Sequence, residues 1–186
     1  MVAVLQPFVC PLRPHGPPSP PTVRDGALGV SRLRPPYLLF KSGIIAYLKL
    51  GEGLERALDL LEDAEDFLGA AKDLFKTKRW SKVCFNAQQS AELALKAALN
   101  SLGVERRGHD LCELLDELIS YQFKELAKLK DKVKILDQYY IPTRYANAFY
   151  SGSAMKHYTE TQAEQAISYA EEILKEMKGI VTKRKA

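Results

Sequence analysis

From Gly51 onward the apolar residues fall into a helical rhythm. Leu54, Leu58, Leu61, Ala64, Leu68, Ala71 and Phe75 recur at three and four residues, which predicts an amphipathic helix over about 52–77. A second stripe follows almost at once: Trp80, Cys84, Ala87, Ala91, Leu95, Ala98 and Leu102, with Gly103 as a stop signal. Its small alanines allow a neighbouring helix to come close. Asp110 is a suitable N-cap for the short helix LCELLDELI. Residues 122–140 form a fourth helical segment, with Phe123, Leu126, Val133, Leu136 and Tyr140 on one side. Pro142 breaks that pattern, and a polar, glycine-containing loop runs to about Tyr158. The last helix carries Ala163, Ala166, Ile167, Ala170, Ile173, Leu174 and Met177 on its stripe, and Thr161 with Glu164 reads as its capping box. Five helices joined by short connections predict an all-α, up-and-down bundle, because short loops force sequential helices to lie antiparallel.

Proline marks where this domain begins. Nine of the ten prolines lie in the first 36 residues, and residues 37–141 contain none. Residues 1–36 cannot bury enough apolar surface to offset the entropy of ordering them, so they are expected to be disordered. Two readings of that segment stand: a start site placed too far upstream, which is favoured, or a basic tail that binds RNA. The chain is accordingly divided into an extension, 1–50, and a helical domain, 51–186.

The formal charge of +4 belongs to the extension. Residues 1–50 hold six Lys/Arg against one acid, and residues 51–186 hold 21 against 22, so the domain itself exerts no general pull on phosphate. Three scattered cysteines, Cys10, Cys84 and Cys112, make neither a disulfide framework nor a zinc CxxC pair. No apolar run is long enough to cross a membrane, the most apolar stretch, Tyr37 to Leu50, being broken by Lys41 and Lys49. A cytoplasmic protein without metal or cofactor is the expectation.

Beside the apolar stripe of the second helix runs a row formed by Phe85, Gln89, Glu92 and Lys96, with Gln88 at its edge. Such a row is either a polar seam between helices, the favoured reading, or the wall of a binding groove; Glu92 and Lys96 are spaced for an ion pair. His109, Asp110 and Cys112 do not assemble a tetrahedral metal site, and helix capping accounts for them better. Lys82, Lys96, Arg106 and Arg107 form a cationic patch diluted by Glu92, Glu105 and Asp110. Most unusual is Tyr139-Tyr-Ile-Pro-Thr-Arg-Tyr-Ala-Asn-Ala148, with three tyrosines around one arginine. Arg144 could grip a phosphate through its guanidinium fork while Tyr145 stacks on a base; equally, the arginine could cap helix C-termini and the tyrosines close the bundle end. His157 is a candidate general base if the loop folds back, although a lone histidine just before a helix is more often incidental.

The run Trp80-Ser-Lys-Val-Cys-Phe-Asn-Ala-Gln-Gln-Ser-Ala-Glu-Leu-Ala-Leu-Lys-Ala-Ala-Leu99, then Gly108-His-Asp-Leu111, Ile141-Pro-Thr-Arg-Tyr145 and Tyr158-Thr159, resembles a HEPN domain over roughly Gly51 to Lys178. The resemblance implies a five-helix domain built on an up-and-down four-helix bundle, usually a homodimer, acting beside a nucleotidyltransferase as a toxin–antitoxin pair. Many members of that family are metal-independent ribonucleases, marked by an arginine followed four to six residues later by a histidine. Here twelve residues separate Arg144 from His157, and Arg106 and Arg107 stand too close to His109. The resemblance therefore points first to a non-catalytic dimeric binding module that partners a nucleotidyltransferase and holds a nucleotide or RNA at Arg144 and Tyr145. A ribonuclease using Arg144 and His157, and a scaffolding dimer without ligand, are the alternatives.

Overall fold

The computed structural model describes residues 36–185, with side chains from Glu52 to Arg184. Residues 1–35, most of the expected extension, lie outside the described residues. Five α-helices follow: α1 Pro36–Lys76, α2 Trp80–Ser101, α3 Leu111–Ser120, α4 Lys130–Asp137 and α5 Glu160–Lys185. Short 3-10 turns occupy Lys124–Leu129, Ala146–Ala148 and Ala154–His157. The fold is all-α, as the periodicity predicts.

α1 starts earlier than its apolar stripe and runs across the boundary drawn at residue 50. Residues 37–50 are apolar nearly all round, so they carry no one-sided pattern to detect, and proline is accepted in a first helical turn. Within the stripe the buried face is Ala57, Leu60, Leu61, Ala64, Leu68 and Ala71; Leu58, expected inside, is exposed. The segment expected as one helix over 122–140 is instead a 3-10 turn followed by α4, with Leu126, Val133 and Leu136 buried as predicted.

Side-chain pairs along the helices give their directions. A turn at Thr77–Arg79, with Lys78 at φ 59°, sends α2 back along α1, so that Phe75 packs on Trp80, Ser90 Oγ donates to the Ala64 carbonyl at 2.7 Å, and Gly53 meets Asn100. Lys72–Glu171 and Lys178–Glu65 set α5 antiparallel to α1, and Lys128–Glu176 with Lys132–Glu172 set α4 antiparallel to α5. α1, α2, α4 and α5 thus make the up-and-down bundle, and α3 packs on α2 and α4. α2 is the central rod: it touches every other α-helix, and its Val83, Cys84, Ala87, Ala91, Leu95 and Ala98 are all fully buried. Burial pushes the Cys84 thiol up to about 12.

Two local details fix the ends. α3 begins where Asp110 Oδ1 accepts from the Glu113 amide at 2.9 Å, the N-cap expected from the sequence. α5 is capped by Thr159 and Gln162, not by Thr161 and Glu164. The Gln162 amide donates to Thr159 Oγ1 at 3.3 Å, and Gln162 Oε1 accepts from the Thr159 amide at 3.0 Å. Both pairs satisfy the spacing rule, and the chain uses the one that lets Tyr158 stay in the core.

A Cβ on Gly53 would lie 2.6 Å from the Asn100 carbonyl oxygen, a backbone atom that cannot swing aside. Gly53→Ala gains helix propensity of up to about 1 kcal/mol but must part α1 from α2. We expect it to lower stability by about 1–3 kcal/mol, read as an earlier urea midpoint; an unchanged or later midpoint would show that the two helices are not in such close contact.

Candidate functional site

The polar row of α2 is the floor of the candidate site. Over its N-terminal part lies the turn Tyr139–Tyr145, and over its C-terminal part lies the segment leading into α3. The turn is pinned from below: Thr143 is fully buried and donates through Oγ1 to the Tyr139 carbonyl at 2.5 Å, and Lys82 Nζ donates to the Thr143 carbonyl at 3.4 Å. Tyr139 is buried against Tyr158, and Phe149 meets the same Tyr158 edge-on, so aromatic rings fasten both ends of the α4–α5 connection to the bundle. Burial pushes the phenols of Tyr139 and Tyr158 up to about 12, so neither ionises near neutral pH.

Glu92 is the most confined charge of the row, its side chain only 4% exposed. One carboxylate oxygen, Oε1, accepts from Lys96 Nζ at 2.8 Å and from His109 Nδ1 at 2.9 Å. The other, Oε2, accepts from the side-chain amides of Gln88 at 3.2 Å and Gln89 at 3.3 Å. Because Glu92 supplies the acceptors, the proton in the His109 contact is assigned to Nδ1. The expected Glu92–Lys96 ion pair is therefore present, and the row is a polar seam in which every partner is accounted for. Two members of the row, Phe85 and Glu92, carry the groups above them, Arg144 and His109.

Those two groups share one ring. Tyr140 stacks on His109 with centroids 4.4 Å apart and planes 21° from parallel. The Arg144 guanidinium carbon lies 3.9 Å from the centre of the same ring, 5.2 Å from that of Tyr145 and 5.4 Å from that of Phe85. Arg144 Nε donates to the Tyr140 carbonyl at 2.8 Å. Its two NH2 groups hydrogen-bond to nothing among the described residues, and no carboxylate pairs with it there. One nitrogen thus closes the turn after α4, while the fork makes no hydrogen bond among the described residues. The three tyrosines divide the work, Tyr139 filling the bundle end, Tyr140 carrying the cation and Tyr145 standing 50% exposed beside it.

His157 sits elsewhere. Its ring lies flat on Phe149 at 4.0 Å, and its Nε2 donates to the Ser151 carbonyl at 2.7 Å. Within the chain no hydrogen bond or ring contact among the described residues joins it to Arg144. The histidine that shares a neighbour with Arg144, the ring of Tyr140, is His109, which sequence reasoning assigned to helix capping. Asp110 caps α3 without it, and His109 reaches instead to a residue seventeen positions upstream. The signal available was Gly108-His-Asp-Leu111 itself, a histidine just ahead of a cap that does not need it.

Asp110, Cys112 and Asp137 bring three possible metal-ligand atoms within 4.8 Å of one another, without His109. Both carboxylates are in use at the first turn of α3, Asp110 on the Glu113 amide and Asp137 Oδ1 on the Leu111 amide at 2.9 Å. Two members of the cationic patch are paired, Lys96 with Glu92 as its spacing predicts and Arg106 with Glu117, a partner that sequence neighbours did not reveal. A cleft of about 740 Å³ lies between the described start of α1 and the end of α2, lined by Arg56, Leu93, Lys96, Asn100 and Arg106 among others. Lys96 is the seam residue on its wall; Arg144 and Tyr145 are not part of its lining.

The HEPN domain family model matches residues 57–180, from within α1 to within α5. The chain belongs to the HEPN domain family. "Putative toxin MJ1304" of Methanocaldococcus jannaschii is 26% identical, covering 72% of this chain and 93% of its own length. The crystal structure of TT1696 from Thermus thermophilus matches at 36% identity with a TM-score of 0.61, covering 69% of this chain and 98% of its own. ST0689, described as an archaeal HEPN homologue, matches at 32% with a TM-score of 0.58, covering 68% and 98%. The HEPN family assignment, its five helices and its bundle all agree with the sequence resemblance. No helix among the described residues is long and apolar enough to cross a membrane.

The Asp137 carboxyl is held above its ordinary value, chiefly by burial and further by Asp110 and Glu92, against the lowering effect of the Leu111 amide. A carboxyl raised in the folded state binds its proton more tightly there, so ionising it works against folding as pH rises through the carboxylate range. Asp137→Asn keeps an oxygen for the Leu111 amide and removes that loss. The variant should be more stable than the parent at pH 7, with the gap closing toward pH 3; equal stabilities at both pH values by urea unfolding would contradict the assignment.

Proposed function

We propose that this HEPN domain is a non-catalytic binding module of the cytoplasm that dimerises, partners a nucleotidyltransferase, and holds a nucleotide or RNA end at Arg144 and Tyr145. One observation carries the ligand: a guanidinium fixed on an aromatic ring by Tyr140, with its fork open and no acidic residue beside it among the described residues. An arginine held in this way loses little entropy when it closes on a phosphate, and the half-exposed Tyr145 offers a stacking face for a base. The toxin name of the Methanocaldococcus relative supports a place in a toxin–antitoxin pair. The ribonuclease reading built on Arg144 and His157 has less support, because His157 is engaged by Phe149 and Ser151.

A ligand that binds only the folded state must raise its melting temperature. AMP or a short 5′-phosphorylated RNA should raise the melting temperature of the full chain. Arg144→Ala should abolish that rise, and Tyr145→Ala should weaken binding by about 1–3 kcal/mol. If neither ligand moves the parent protein, or if Arg144→Ala responds as the parent does, the site is not at Arg144.

A further inference from the structure

Three facts about His109 are not explained by the fold. α3 does not need it, since Asp110 and Asp137 already accept from the Glu113 and Leu111 amides. Glu92 does not need it either, because Lys96, Gln88 and Gln89 occupy both carboxylate oxygens. Yet the imidazole is fixed on two sides, through Nδ1 on Glu92 and through its face on Tyr140, while the side chain remains 52% exposed. Its Nε2 has no hydrogen-bond partner among the described residues. A ring that is half open to water and still held in one orientation is prepared for a ligand: the rotamer entropy that binding would cost has already been given up in the fold.

We propose that His109 is a second phosphate-binding group of the Arg144 site, held in place by Glu92 as its positioning residue, and that the site takes the terminal phosphate of a nucleoside phosphate. The inference rests on the Arg144 reading above and adds a partner to it. Imidazole and guanidinium both lie against Tyr140, so a phosphate shared by Nε2 and the open guanidinium fork would sit at the edge of that one ring. With Nδ1 and its proton committed to Glu92, Nε2 is the nitrogen left for a phosphate oxygen, and it donates there with a second proton on the ring, as imidazolium. A terminal phosphate suits such a pair better than an internal diester, because it carries more negative charge and three free acceptor oxygens. Glu92 determines which ring nitrogen faces the ligand, as a carboxylate behind a metal-bound or catalytic imidazole does.

Free nucleotide and 5′-phosphorylated RNA share this chemistry, so both serve as probes: AMP and a 5′-phosphorylated tetranucleotide, titrated calorimetrically into the full chain, with adenosine as the phosphate-free control. Whichever phosphate ligand binds more tightly names the source. His109→Ala should weaken both about tenfold or more, His109→Gln should recover part of that loss by restoring an N–H donor, and adenosine should bind no variant appreciably. In long-range 1H–15N spectra of the unsubstituted protein, AMP should move Nε2 of His109 more than Nδ1. Glu92→Gln should redistribute the proton between the two nitrogens and weaken AMP binding severalfold. If His109→Ala binds AMP like the parent while Arg144→Ala does not, the His109 proposal is overturned and the Arg144 reading stands. Should His109→Ala fail to fold, the spectra decide alone, an unmoved Nε2 overturning the proposal. Absence of AMP and RNA binding by the parent protein overturns both.

Discussion

A desolvated carboxylate organises the end of this molecule where Tyr140 and Arg144 lie over α2. Burying Glu92 would cost several kcal/mol if it stood alone, and it is tolerated because Lys96, Gln88 and Gln89 already satisfy both its oxygens, with His109 as a fourth partner. Three of those come from α2 itself and cost little to arrange, being one turn or one step away. The fourth, His109, comes from the segment before α3, and through it the helical core is tied to Tyr140 and Arg144. The charge that is hard to bury thus fixes the position of groups that remain open to water. Loss of that carboxylate would release the imidazole and leave Lys96 without its counterion.

The bundle underneath is built to bring that floor and its cover together. Alanines and a serine on α2 face alanines on α1, so the two rods pack closely enough for a hydroxyl to reach across to a backbone carbonyl. α3 and α4 then close over another side of α2, and the leucines of the 3-10 turn at Lys124–Leu129 are buried beside them. With one face of α2 given to α1, the large polar side chains of α2 emerge along a different one. That face is the one the Tyr139–Tyr145 turn covers.

Much of the fold was legible because amphipathic helices advertise themselves at period 3.6, and α2 and α5 do so nearly residue for residue. What escaped had a local physical reason. The start of α1 is apolar all round and so has no moment to read, and Leu58 fits a stripe of three- and four-residue steps although the buried face runs through Ala57 and Leu60. Thr159 and Thr161 both obey the capping rule, and only the burial of Tyr158 discriminates between them. For the site, the row Phe85, Gln89, Glu92 and Lys96 and the pair Arg144 and Tyr145 could be named from spacing and residue type. Their connection could not, because it passes through His109 and Tyr140, which contact each other only after α3 and α4 have folded over α2. No local pattern encodes a stack between residues from two separate loops.

The register of α1 against α2 also bears on how the chain reaches this structure. Phe75 with Trp80, Ala64 with Ser90 and Gly53 with Asn100 form a ladder that zips outward from a three-residue turn, so each contact shortens the search for the next. α5 has no such help: its ion pairs to α1 close a loop that contains all of α2, α3 and α4. The helical hairpin is therefore the natural nucleus, and the C-terminal rod is the late arrival that completes the hydrophobic interior.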